Sequence, residues 1–162
     1  MASLVVMGVS GCGKSTVAAL AARRLGLPLV EGDDFHDPGA VAKMQAGQPL
    51  TDADRGGWLA RLGAELAARP GGAVLSCSAL KRAYRERLRA AAPGLRFAFL
   101  QLPPAAALAR VQARAAHFFP AALIDSQFAT LEPPLGEAGV LVLDAQAGQA
   151  ELEDAIAAWW QA

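Results

Sequence analysis

The stretch "GVSGCGKS", residues 8–15, constrains this chain more than any other. It fits the spacing G-x-x-x-x-G-K-[ST]. An apolar run, "SLVVM" (3–7), precedes it and an Ala/Leu-rich segment with helical periodicity follows it. In that order of strand, loop and helix, glycines curl the backbone so that successive N–H groups converge on phosphate oxygens. The helix N-terminus adds a dipole that favours the same anions. A lysine at position 14 then reaches the β- and γ-phosphates, and a hydroxyl at position 15 can ligate the magnesium ion that accompanies them. The expected triphosphate site is therefore Gly8, Val9, Ser10, Gly11, Cys12, Gly13, Lys14, Ser15 and Thr16. Cys12 stands within it, so its thiol is expected to face the phosphates near a helix N-terminus, where thiolate is favoured.

Four more apolar runs follow: "LPLV" (27–30), "GAVLSCS" (72–78), "RFAFLQL" (96–102) and "GVLVLD" (139–144). They are continuous rather than alternating, as in strands of a parallel sheet covered on both faces. Helical patterns fill the intervals. One runs from the loop to Leu25 and stops at Gly26 and Pro28; another covers 51–69 and opens on the capping sequence "TDAD". Trp58, Leu59, Leu62 and Leu66 share one face of it. Further helices are expected over 79–91, 104–116, 121–131 and 149–160. This alternation predicts one three-layer α/β domain over residues 1–162.

A chain of 162 residues, 54% hydrophobic and 19% charged, can bury a real core. Fifteen basic residues balance fifteen acidic ones, which argues against nucleic acid or an anionic membrane as a partner. Two cysteines, Cys12 and Cys77, make no disulfide framework, and the first apolar run leads into the glycine loop rather than a cleavage site. A cytoplasmic setting is expected. The chain has no asparagine, so it cannot carry a guanine-reading segment of the Asn-Lys-x-Asp type, and it is short for a motor ATPase. A small-molecule kinase fits best.

The acceptor should sit beyond the carboxyl end of the second strand, where ligands gather in parallel sheets. The sequence there is "VEGDDFHDP" (30–38), which brings Glu31, Asp33, Asp34 and His36 towards the γ-phosphate. A carboxylate at that place can orient an alcohol and accept its proton, and another can hold magnesium through water. Acidic residues also cap turns. In "LTDADRGGWL" (50–59), Arg55 falls in a first helical turn, against the dipole, beside the poor helix formers Gly56 and Gly57. That suits an anion site, with a solvated arginine as the alternative. In "CSALKRAYRERLR" (77–89), Lys81 and Arg85 are four apart and are expected on one helical face, able to bind a carboxylate or phosphoryl group. In "RVQARAAHFFP" (110–120), Arg110 and Arg114 precede His117 and two phenylalanines. They could close over the triphosphate, or belong to an ordinary amphipathic helix.

Together, "MGVSGCGKST", "EGDDFHDP", "KMQAGQPLTDADRGGWL", "CSALKRAYRERLR" and "RAAHFFPAALIDSQFATLEPP" resemble gluconate kinases of the small P-loop type, in order and spacing, from residue 7 to residue 134. The resemblance implies ATP-dependent phosphorylation of D-gluconate at its 6-hydroxyl, with Mg²⁺ accompanying ATP. It implies a nucleoside-monophosphate-kinase-like fold with a five-stranded parallel sheet of order 2-3-1-4-5, a mobile lid within 110–134, and a homodimer. By resemblance Lys14 and Asp33 are catalytic, with Asp33 orienting the acceptor, and Glu31 joins Ser15 on the metal side. His36, Lys43, Arg55, Lys81, Arg85 and His117 fall on the substrate side. Arg110 resembles a lid arginine that stacks on adenine, and Arg114 one that meets the phosphates. Two rivals remain at this level: a small P-loop kinase for shikimate or adenylylsulfate, and a nucleotide-binding module without turnover. The "HFF…SQF" and "DADRGGWL" stretches weigh against the first. Intact Lys14, Ser15 and Asp33 weigh against the second.

Overall fold

Each of the five apolar runs becomes a strand in a computed structural model that describes residues 2–113 and 121–162. The strands are β1 (Leu4–Met7), β2 (Leu29–Glu31), β3 (Val74–Ser76), β4 (Arg96–Gln101) and β5 (Val140–Asp144). All pairings are parallel, in the order β2-β3-β1-β4-β5, as expected. Val5 at the centre faces Leu75 on one side and Phe97 on the other. β1 and β3 are buried along their whole length, whereas the edge strands expose Leu29 and Val142. The continuous apolar pattern is thus strictly met only where neighbours flank a strand on both sides.

The helices are α1 (Lys14–Leu25), α2 (Pro38–Gln45), α3 (Asp52–Ala67), α4 (Arg82–Ala91), α5 (Pro104–Ala113), α6 (Ala121–Thr130) and α7 (Gln149–Gln161). α1 ends where expected, on a left-handed Gly26 that returns its N–H to Ala22 and Arg23. α3 turns the expected stripe of Trp58, Leu59, Leu62 and Leu66 into the core. Two elements go beyond the sequence pattern. A 3₁₀ turn at Gly32–Phe35 and the eight-residue α2 occupy a stretch without helical periodicity. There Asp37 caps the helix by accepting from the Ala40 N–H, and Pro38 starts it. α4 begins at Arg82, three residues later than expected. Ala79 takes a left-handed φ of +48°, which disfavours helix for a residue with a Cβ.

Because the sheet is parallel, the segments after β1, β2 and β3 all leave at one edge. The order runs from β1 to β3 one way and to β4 the other, so a crevice opens beyond the end of β1. Among the described residues no helix is long and apolar enough to cross a membrane.

Candidate active site

Gly13 adopts a left-handed φ of +88° and forms the N-cap of α1, so Lys14 and Ser15 open the helix. The cap makes no side-chain bond and no acidic residue lies in the first turn, which leaves the helix N–H groups to an anion. Val9 and Cys12 are buried in the core and anchor the loop from beneath. A Cβ placed on Gly8 would lie 2.7 Å from Cys12 Sγ. The Cys12 thiol therefore packs under the loop instead of facing the phosphates, which corrects the expectation for that side chain.

At the ends of the neighbouring strands, Ser15 Oγ donates to Glu31 Oε1 at 3.0 Å and lies 3.5 Å from Ser76 Oγ. One hydroxyl and one carboxylate suit a magnesium ion that brings phosphate and water ligands with it. Among the described residues no cluster of three His, Cys, Asp or Glu could hold a metal without such help.

Beside the loop lies a cavity of about 320 Å³, walled by Ser10 and Lys14, the 3₁₀ turn, α2, α3, Ser78 and α6. Its acidic wall is built closely. Trp58 Nε1 donates to Gly32 O at 2.8 Å, and a Cβ on Gly32 would stand 2.3 Å from Ser76 O, so only glycine lets the turn approach β3. His36 stacks on Trp58 with centroids 4.3 Å apart and planes 17° from parallel. Its side chain is only 5% exposed, with Nε2 3.7 Å from Asp33 Oδ1. Among the described residues its buried Nδ1 has no partner. Asp33 stands open in the cavity with its side chain 68% exposed. The nearby His36 imidazole holds its carboxyl below the usual range, with help from the Lys14 charge and against partial desolvation.

Arg55 lines the same cavity and is only 9% exposed. Nη1 donates to Leu50 O at 2.7 Å and to Tyr84 Oη at 3.4 Å, and the guanidinium lies 5.6 Å from the Tyr84 ring. Tyr84 in turn donates to Asp52, which also receives Lys81 Nζ at 3.0 Å. These contacts explain how a cation tolerates the first turn of α3.

Three expected acceptor residues lie outside this wall. Lys43 Nζ is bonded to Asp54 Oδ2 at 2.6 Å. Lys81 is the N-cap of α4 rather than part of the helix, so it shares no helical face with Arg85, and it serves Asp52. Arg85 turns inward and donates to Ala79 O, Glu132 O and Glu137. Arg110 Nη1 reaches Gly11 O at 3.2 Å and Cys12 O at 3.4 Å, while Nη2 reaches Ala145 O at 3.0 Å. It thus ties α5 to the loop and to the turn after β5. Arg114 and His117 lie outside the described residues.

Residue-by-residue reading did not select Ser78, Ser126 or Gln127 for the cavity wall, yet all three line it. Gln127 Oε1 accepts from the Ser10 N–H at 2.7 Å, and its Nε2 donates to Ser10 Oγ at 3.0 Å. The two residues are 117 positions apart, and no local pattern pairs them. The nearest signal is the polar run Asp125–Ser126–Gln127 that interrupts the apolar residues of α6.

A family model described as an AAA domain matches residues 4–134. A gluconokinase of Gluconobacter oxydans is 52% identical over 134 residues, which span 81% of this chain and 75% of that protein. The thermosensitive gluconokinase of Escherichia coli is 41% identical over 135 residues, 82% of this chain and 72% of its own length. The crystal structure of a gluconokinase from Sinorhizobium meliloti superposes with a TM-score of 0.88 at 43% identity, covering 99% of this chain and 97% of that one.

Proposed function

The chain belongs to the gluconokinase family, and we propose that it transfers the γ-phosphate of ATP to the 6-hydroxyl of D-gluconate, yielding 6-phospho-D-gluconate and ADP. One observation carries the reading: Ser10 and Lys14 of the phosphate loop and the Asp33–His36 pair wall a single cavity. Donor and acceptor can therefore meet without water between them.

In this reading Asp33 accepts a hydrogen bond from the 6-hydroxyl and aims its oxygen at phosphorus. A carboxylate this acidic is a weak base, so it takes the proton late, as the O–P bond forms. Lys14 and the loop amides offset the charge on the phosphoryl oxygens. Magnesium bound with the nucleotide supplies further charge neutralisation, and Ser15 and, through water, Glu31 would hold it. Arg55 meets the gluconate carboxylate from the α3 side of the cavity, and His36 holds Asp33 in place from the same wall. Arg110 stacks on adenine, and Arg114 meets the phosphates. A homodimer and a cytoplasmic location complete the proposal; sedimentation velocity separates one copy from two.

A coupled assay of ADP release with ATP, Mg²⁺ and D-gluconate tests the reaction, beside shikimate, adenylylsulfate and glucose. Turnover is expected with gluconate alone. Turnover with shikimate or adenylylsulfate instead, or with none of the four, overturns the reading. Arg55→Leu should raise KM for gluconate far more than for an uncharged polyol, and equal effects would remove Arg55 from the carboxylate.

A further inference from the structure

Of loop residues 8–16, Ser10 and Lys14 line the acceptor cavity. The phosphoryl group in transit must stand between loop and acceptor, so these two residues border it. The Ser10 N–H is already taken, because the carboxamide oxygen of Gln127 accepts from it at 2.7 Å. The other arm of the same carboxamide closes a two-point clamp on Ser10 Oγ. A carbonyl oxygen at that distance fills the acceptor position of this amide, which a phosphate oxygen would have to take to bind there. A single N–H serves one strong acceptor at a time.

We infer that Gln127 is a latch read by the γ-phosphate: its carboxamide holds the Ser10 amide in the nucleotide-free protein, and the γ-phosphate displaces it into the acceptor cavity. The inference rests on the assignment of that cavity to gluconate. Gln127 already lines the cavity, so release needs a side-chain rotation rather than a movement of α6. The freed carboxamide carries both donors and an acceptor, which suits a polyol hydroxyl. ADP lacks the displacing group and leaves the latch closed. Triphosphate thus prepares the acceptor side, and by linkage the acceptor strengthens triphosphate binding by the same factor. Gln127 acts through the loop in one state and on the acceptor in the other.

Calorimetric titration of wild type, Gln127→Ala and Gln127→Glu tests this, with Mg·ADP and with Mg·β,γ-imido-ATP, each with and without D-gluconate. Gln127→Ala should bind the imido analogue about three- to tenfold more tightly than wild type, since a hydrogen-bonded competitor is gone. Its ADP affinity should change by less than about twofold. Wild type should gain gluconate affinity when the analogue is bound, and Gln127→Ala should lose that gain. Gln127→Glu, which sets a carboxylate against the γ-phosphate, should weaken the analogue relative to ADP. Ser10→Ala removes only the hydroxyl arm and should shift the analogue-to-ADP ratio as Gln127→Ala does, by a smaller factor. An unchanged ratio in Gln127→Ala, or equal weakening of both nucleotides, overturns the latch and makes the clamp a brace for the loop. If wild type binds no gluconate in any state, the acceptor assignment fails, while the nucleotide ratio still decides the latch.

Discussion

Asp33 owes its acidity first to His36 and then to Lys14. Its pKa is lowered from 3.8, so the carboxylate persists as pH falls through the ordinary range and is lost only below it. Asp33→Asn should cut kcat by about 10²- to 10⁴-fold while calorimetry still finds ATP bound. His36→Phe keeps the stack on Trp58 but removes the imidazole beside Asp33, so the acid limb of kcat/KM should move to higher pH. A limb that stays in place would assign it to another group. The cysteines carry a second prediction at this scale. Burial pushes the Cys77 thiol up to about 12, and Cys12 is buried against Gly8. Iodoacetamide at neutral pH should modify the native protein far more slowly than the unfolded chain, as mass spectrometry would read. Fast alkylation of native Cys12, blocked by Mg·ATP, would return its thiol to the phosphate side.

The start of α3 shows how far an element can be read locally. "TDAD" signals a capping box, and the box forms: Thr51 Oγ1 accepts from the Asp54 N–H at 3.1 Å, and Asp54 Oδ2 accepts from the Thr51 N–H at 2.8 Å. The same carboxylate also binds Lys43 of α2, which is a tertiary addition. Lys43 and then Thr51 hold the Asp54 carboxyl at about 2, down from 3.8. A depressed carboxyl stabilises the fold above its unfolded pKa and loses that contribution as pH falls through its folded one. Wild type should therefore lose stability between about pH 4 and pH 2, and Asp54→Asn should flatten that part of the profile in thermal melts. Thr51→Ala should cost about 1 kcal/mol in urea unfolding. α2 was not legible beforehand, because eight residues hold too little periodicity. The late start of α4 was not legible either, since the left-handed Ala79 is braced by Arg85 from six positions on.

Across the molecule, Arg85 joins the end of β3 to the chain beyond α6. It is 0% exposed, its partner Glu137 is 8% exposed, and the two lie 2.6 Å apart, with Arg89 also 3.0 Å from Glu137. Removing Arg85 leaves the buried Glu137 with Arg89 alone and takes a donor from Ala79 O and Glu132 O, so Arg85→Met should cost about 3 kcal/mol and lower Tm. KM for gluconate in the folded fraction should stay near wild type, because Arg85 lines no part of the cavity. Retained stability with a raised KM would put Arg85 back on the acceptor. The strand order followed from the family resemblance, while the sequence alone determined the strands, their place in a parallel sheet, the phosphate loop and the acidic stretch beside it. Those features are short-range: apolar runs, capping residues and glycine spacing act within a few positions of themselves. Only the tertiary structure decided which cations face the cavity. A basic side chain takes its partner from whatever folding brings near, so Lys43, Lys81 and Arg85 went to carboxylates while Arg55 remained at the wall. The Gln127–Ser10 clamp belongs to the same class, since a contact across 117 residues exists only once α6 is laid beside the loop.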